Sequence, residues 1–164
     1  MVLPIFVLGA LCYPDGVEKL ISKILIVGRN PTNRKALIST LARTPTQIDF
    51  AADSDEAIAG IKSGNELPDM VIRNLEYDNS SEPLKLYQYL RANEETCEIP
   101  YLFVVETDFE VMQMRTMGLT NACVARAPLT FASFVYALPA LGMTIKDTVL
   151  YKRVSSKIPE KMRC

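Results

Sequence analysis

From Lys23 onward, apolar runs of four or five residues alternate with longer stretches in which apolar positions recur every three or four residues. The first spacing is that of strands covered on both faces, the second that of helices with one buried stripe. Ile24 to Val27 is the first such run. Asn30-Pro31 then supplies a cap and a proline at the first helical position, and Leu37 and Leu41 fall one turn apart. Gln47 to Ala51 reads as a second strand, and Ala57, Ile58 and Ile61 line the helix after it. Asp69 to Asn74 is a third strand, followed by a polar loop, Glu76 to Ser81, and a helix carrying Leu86, Tyr89 and Leu90. Tyr101 to Val105 is the fourth strand, and after Asp108 a Met-rich helix carries Val111, Met114 and Met117. Ala122 to Ala125 is the fifth, and the last helix, near Phe131 to Leu138, is stopped by Pro139 and Gly142. Five βα units predict an α/β three-layer sandwich around a five-stranded parallel sheet with right-handed crossovers. In such sheets a ligand site lies beyond the carboxyl ends of the strands, where strand order reverses.

Residues 1–22 precede this pattern. The run from Val2 to Leu11 has no basic residue before Lys19, and its ten residues fall short of the ~20 that span a bilayer, so no membrane segment is expected. Asp15 to Ser22 places Val17, Leu20 and Ile21 on one helical face behind an Asp cap. The extension therefore reads as a short strand and a short helix leading into a domain at 23–143. Residues 144–164 carry Lys146, Lys152, Arg153, Lys157, Lys161 and Arg163 against Asp147 and Glu160. That stretch is either a solvated tail, a linker to an output domain, or a surface that docks an acidic partner.

Composition removes whole classes of chemistry. The 164 residues, 49% of them hydrophobic, are enough for one domain with a single core and no staples. A formal charge of −1 gives no pull toward nucleic acid or anionic lipid, so no direct nucleic-acid contact is expected. There is no histidine, which excludes a phosphohistidine carrier and a Ser-His or Cys-His catalytic pair and withdraws the commonest zinc ligand. Cys12, Cys97, Cys123 and Cys164 lack the short paired spacing of a metal or redox motif, and reduced thiols in a cytoplasm are the expectation.

Three segments carry a resemblance. Ile24-Leu-Ile-Val-x-x-Asn-Pro-x-x-Arg34, Leu67-Pro-Asp-Met-Val-Ile-Arg-Asn-Leu75 and Ile99-Pro-Tyr-Leu-Phe-Val-Val105 resemble the response-regulator receiver domains of two-component signal transduction and phosphorelays, over about Lys23 to Gly142. The resemblance implies the flavodoxin-like (βα)5 topology. It also implies a pocket of two adjacent carboxylates that hold Mg²⁺, a phospho-accepting Asp, a Thr or Ser, and a Lys before Pro. Here the acid pair reads Gly28 and Arg29, the acceptor Asn74, and the hydroxyl position Val105, with Thr107 two residues late. The lysine position reads Arg126 or Ala127, and the strand aromatic that usually precedes it is replaced by Val124 or Cys123.

Each change has a chemical consequence. An amide oxygen is too weak a nucleophile to attack a phosphohistidine. Mg²⁺ wants several hard anionic oxygens. An Arg29 guanidinium ~5 Å from the metal position would repel it by roughly 6 kcal/mol at an effective dielectric near 20. Asp69 enters its strand at the amino end, away from this pocket, while Asp78 lies in the loop beyond Asn74. The expectation is a degenerate pseudo-receiver, not an enzyme and without a cofactor, that acts by binding an output domain or another protein, or by dimerising, in the bacterial cytoplasm. The resemblance puts that interface between Met112 and Leu138, with Met112, Met114, Met117, Phe131 and Tyr136 as contact residues. Core packing is the competing reading of the methionines and of Phe131 and Phe134.

Two other readings stay open. A basic cavity near Arg29 and Arg126 would bind an anion or nucleotide, although Gly28-Arg-Asn-Pro-Thr32 lacks the glycine spacing of a phosphate loop. A phosphorylatable regulator using another acid is the other. Pro4-Ile-Phe-Val-Leu8 also resembles Pro100-Tyr-Leu-Phe-Val104, so the extension is an extra strand, a dimer-forming arm or the tail of a second, truncated unit.

Overall fold

The computed structural model describes residues 6–8, 19–42, 44–75 and 83–145. Its elements are β1 (Phe6–Leu8), β2 (Lys19–Ile21), β3 (Lys23–Val27), α1 (Pro31–Leu41), β4 (Gln47–Ala51), α2 (Ser54–Lys62) and β5 (Met70–Asn74). They continue with α3 (Lys85–Ala92), β6 (Tyr101–Val105), α4 (Asp108–Thr116), β7 (Ala122–Arg126), α5 (Phe131–Ala137), a 3-10 turn (Pro139–Leu141) and β8 (Met143–Ile145). The main sheet runs β1-β7-β6-β5-β3-β4. Its five strands from β7 to β4 are parallel, as the apolar runs predict, and β1 adds antiparallel to the outer edge of β7 with Val7 opposite Cys123. Among the open readings of Pro4 to Leu8, the described part is an extra strand of the same sheet.

One expectation fails. Lys19–Ile21 is a strand, not the end of a helix, and pairs in parallel with β8, Leu20 opposite Thr144. Three apolar or amphipathic residues satisfy either period, and the backbone partner offered by β8 decides between them. β8 spans the expected boundary at 143/144, so the extension and the domain's end form one small two-stranded sheet. The rest of the extension, Asp78 and its loop, and the tail from Lys146 lie outside the described residues.

All five residues of β3, β5 and β6 are buried, and this is why they read as near-continuous apolar runs, interrupted only by Lys23 at the start of β3 and by Arg73 and Asn74 at the end of β5. Alternate side chains feed two cores. Val27, Val71, Tyr101, Phe103 and Val105 pack under Ala57, Ile58, Leu86, Leu90, Val111 and Met114 of α2, α3 and α4. Ile24, Ile26, Ile72, Leu102 and Val104 pack under Leu37, Leu41, Phe134 and Val135 of α1 and α5. The cap read at Asn30-Pro31 is present, with the Thr32 N–H donating to Asn30 Oδ1 at 2.9 Å.

Two side chains fasten the amino end of the sheet. Asp69 accepts the Ser22 and Lys23 amides at 2.9 and 3.0 Å, which fixes the entry into β3. Arg91 lies over the Tyr87 ring, 4.6 Å from its centroid, and donates to the carbonyls of Ile99 and Asn121 at 3.0 Å and of Thr120 at 3.2 Å. It thus ties α3 to the turns that start β6 and β7. Arg91→Met should lower the unfolding free energy by about 2–3 kcal/mol in urea denaturation, because it strands several carbonyls that a charged donor satisfies. Arg91→Lys should recover little of this, since a point charge cannot reproduce the planar fork.

Candidate functional site

The chain leaves β3 for β4 on one side and returns to β5 on the other, so the strand order reverses between β3 and β5. The crevice over that point is bounded by Gly28, Asn74, the end of β6 and the turn after β7. Register places Val27 opposite Ala51 and Arg73, Asn74 opposite Val104, and Val105 opposite Arg126.

Asn74 is the polar centre of this crevice. It is 3% exposed, and its Oδ1 has no hydrogen-bond partner. Beneath it is a cavity of about 10 Å³ walled by Ala36, Leu37, Val104, Ala127, Pro128 and Leu129. That volume holds about one water, which would give the orphaned carbonyl a donor.

The other residues singled out in the sequence do not join it. Arg29 points to Asp53, the N-cap of α2, and its side chain is two-thirds exposed. Asp53 also accepts the Glu56 amide at 3.0 Å. That amide, and then the Arg29 guanidinium, hold the Asp53 carboxyl below the usual aspartate range. Arg126 turns to the α4 side and pairs with Asp108 at 2.9 Å. Ala127 is therefore the residue that faces Asn74, which resolves the alternative left open between Arg126 and Ala127. Val105 is fully buried on the α2/α3/α4 face, and Val104 lines the crevice in its place. Thr107 caps α4: its hydroxyl accepts the Glu110 amide at 3.2 Å while Glu110 accepts the Thr107 amide at 2.9 Å. A hydroxyl committed to a capping box explains why the Thr sits two residues past the strand.

Mg²⁺ can be tested against these side chains. Gly28 offers only backbone, Arg29 is a cation paired elsewhere, and Asn74 brings one neutral oxygen, so the residues do not fit the ion. The repulsion expected from Arg29 is a lesser matter, because its charge is met by Asp53 and water. Among the described residues, no three His, Cys, Asp or Glu side chains gather into a metal-binding set.

The interface residues divide. Met112 and Met117 are 65% and 47% exposed and Tyr136 39%, whereas Met114 is 4% exposed and belongs to the core, and Phe131 packs partly buried against the α1/α5 core. The sequence reading missed Phe109, 68% exposed and one turn before Met112 on α4. Its signal is present in the chain: Val111 and Met114 mark the buried stripe, which leaves Phe109 and Met112 together on the opposite side.

No family model matches the chain, and no curated protein matches it. Solved structures do. The bacteriophytochrome response regulator AtBRR superposes with a TM-score of 0.66 at 21% identity, over 76% of this chain and 94% of its own. The chemotaxis response regulator CheY4 of Vibrio cholerae gives 0.59 at 20% identity, over 74% and 98%. A response regulator receiver protein from Sinorhizobium medicae gives 0.61 at 16%, over 74% and 94%. The chain has the fold of response-regulator receiver domains.

The Arg29–Asp53 contact carries a pH signature. A depressed folded-state carboxyl stabilises above the unfolded pKa of about 4 and loses that contribution as pH falls through the lower folded value. Asp53→Ala should cost about 1 kcal/mol at pH 7 as a lost N-cap. The gap to the parent, followed by urea denaturation, should narrow below about pH 4. Asp53→Asn should keep most of the cap and remove the pH dependence.

Proposed function

We propose that this chain is a pseudo-receiver: a receiver-fold module of bacterial two-component signalling that takes no phosphoryl group and works by binding protein. The observation that carries this reading is Asn74, a buried neutral amide over a water-sized cavity at the position where the receiver resemblance implies a phospho-accepting Asp. An amide cannot form the acyl phosphate, and the residues at Gly28 and Arg29 supply no oxygen anions for a metal. The module is a cytoplasmic, non-enzymatic protein without a cofactor, and its state is set by what docks on it. No helix of the described residues is long and apolar enough to cross a membrane.

The docking face is the outer side of α4. Phe109 and Met112 there are the two most exposed large hydrophobic residues described, and Met117 at the end of α4 and Tyr136 on α5 are exposed as well. Exposed apolar groups clustered this way mark contact sites on soluble domains. β1 already occupies the outer edge of β7, so a partner reaches this side through helix side chains and not by adding a strand at that edge. The occupant is an output domain, another signalling protein or a second copy of the chain.

Phe109→Lys with Met112→Lys should leave the melting temperature within a few degrees of the parent, since both side chains are exposed. The same pair should weaken dimerisation or output-domain binding by at least tenfold in sedimentation equilibrium or calorimetry. A parent chain that neither self-associates nor binds an output domain, or a double variant that binds as well as the parent, contradicts the interface. For the pocket, Gly28→Asp, Arg29→Asp and Asn74→Asp together should create a chain that gains a phosphoryl mass with acetyl phosphate and Mg²⁺. The parent should gain none.

A further inference from the structure

The two edges of the main sheet are finished differently. β1 covers the outer edge of β7, whereas β4 ends the sheet on the other side with no described strand beyond it. Backbone groups along a strand alternate between its two sides. The Gln47 N–H donates to the Ser22 carbonyl at 2.9 Å, and the Ala51 carbonyl accepts the Gly28 N–H at 3.0 Å. Gln47, Asp49 and Ala51 thus turn their backbone groups to β3, which they face in register. Ile48 and Phe50 turn both N–H and C=O outward, four groups that no strand among the described residues meets. A row of this kind is a template for one more strand.

The two faces beside that edge differ in chemistry. On the α2 side a cleft of about 310 Å³ opens beside β4, with Leu25, Ala57 and Ile61 as its apolar wall and Asp49, Glu56 and Glu66 as its acids. Lys23 is the one cation in the described lining, and it is engaged: its ammonium pairs with Asp49 at 2.9 Å and donates to the Glu66 carbonyl at 2.8 Å. Three carboxylates against one committed ammonium leave the cleft negative. On the α1 side, Phe50 and Ile38 are exposed, and Ile48 is half-buried against the α1/α5 core. Arg34, one turn before Ile38, lies over the Phe50 ring, 4.9 Å from its centroid. A segment laid on this edge would meet acids through one set of alternate side chains and apolar groups through the other.

A second copy of β4 fits this edge poorly. The antiparallel register that uses all four free groups within β4 sets Ile48 opposite Phe50 of the copy and Asp49 opposite its own equivalent. Like charges facing each other across a strand pair oppose pairing. A charge at the centre of an edge strand guards against self-association, and it also selects a partner of opposite sign. We propose that the outer edge of β4 binds an extended segment of another protein as one more strand, with Lys or Arg side chains over the Asp49, Glu56 and Glu66 cleft and apolar side chains against Ile38 and Phe50. Main-chain hydrogen bonds to Ile48 and Phe50 supply affinity. The long basic side chains lay their methylenes along the Leu25, Ala57 and Ile61 wall while their charges meet the carboxylates. α4 packs on β6 and β7, away from the β4 edge, so this surface is separate from the docking face proposed on that helix.

Amide hydrogen exchange and calorimetry on the full chain test this, with a capped peptide of about nine residues that alternates lysine with valine as the probe. In the free chain the Ile48 and Phe50 amides should exchange at least about tenfold faster than the Asp49 amide, which β3 holds. The lysine peptide should bind saturably and slow both outward amides by at least about tenfold. A peptide alternating glutamate with valine should do neither. Asp49→Asn with Glu66→Gln should weaken the lysine peptide by about tenfold. Should that variant fail to fold, the glutamate peptide carries the charge test. Phe109→Lys with Met112→Lys should bind the peptide as the parent does. The proposal is overturned if the lysine peptide leaves both rates unchanged, or if the glutamate peptide binds as tightly. It is equally overturned if the free chain already protects Ile48 and Phe50. Protection that grows with chain concentration would give the edge to a second copy, and protection lost in Lys152→Glu with Arg153→Glu would give it to the chain's own residues 146–164.

Discussion

Burial of both faces of β3, β5 and β6 is the constraint from which the rest follows. A strand covered on two sides has no face left for water, so nearly every side chain along it must be apolar, and helices must be supplied on both sides. The chain meets this with α1 and α5 on one face and α2, α3 and α4 on the other. Chemistry is thereby displaced to the strand ends, where the backbone leaves the sheet. Polar residues that remain inside, Arg73 and Asn74 above all, stand out energetically because the surroundings cannot solvate them.

At the carboxyl end, the usual solution to clustered acids is a divalent cation. This chain solves a different problem. Its acids are spread out as helix caps: Asp53 caps α2, and Glu110 completes the box that Thr107 begins on α4. Two of the nearby cations are ion-paired to acids at the starts of helices, Arg29 to Asp53 and Arg126 to Asp108. These pairs are exposed and individually weak. Their effect is to take charged groups out of the crevice, which leaves Asn74 facing alanine, leucine, valine and proline. On the proposed reading, a crevice built this way has nothing to gain from a phosphoryl group or a metal.

The parallel sheet and its five following helices were legible in the sequence because burial on two faces and burial on one leave different periods. Asn30-Pro31 and the stop at Pro139 and Gly142 were legible because capping chemistry is local. The Lys19–Ile21 strand was not, since its partner β8 lies more than a hundred residues away and three residues carry no period. Of the candidate site, Gly28, Asn74 and their chemistry could be read from position alone. The partners of Arg29 and Arg126 could not, because they come from α2 and α4 and depend on which way a long side chain turns. Strand parity would have placed Val105 and Arg126 on the α4 face and Val104 beside Asn74, had the face of each strand been known.

The claim that the crevice beneath Asn74 neither binds Mg²⁺ nor accepts a phosphoryl group is tested most directly by amide NMR, titrating Mg²⁺ with beryllofluoride into the unmodified chain. The account predicts that the resonances of Gly28, Asn74, Leu75 and Ala127 stay where they are at every concentration. Saturable shifts centred on those residues would contradict it.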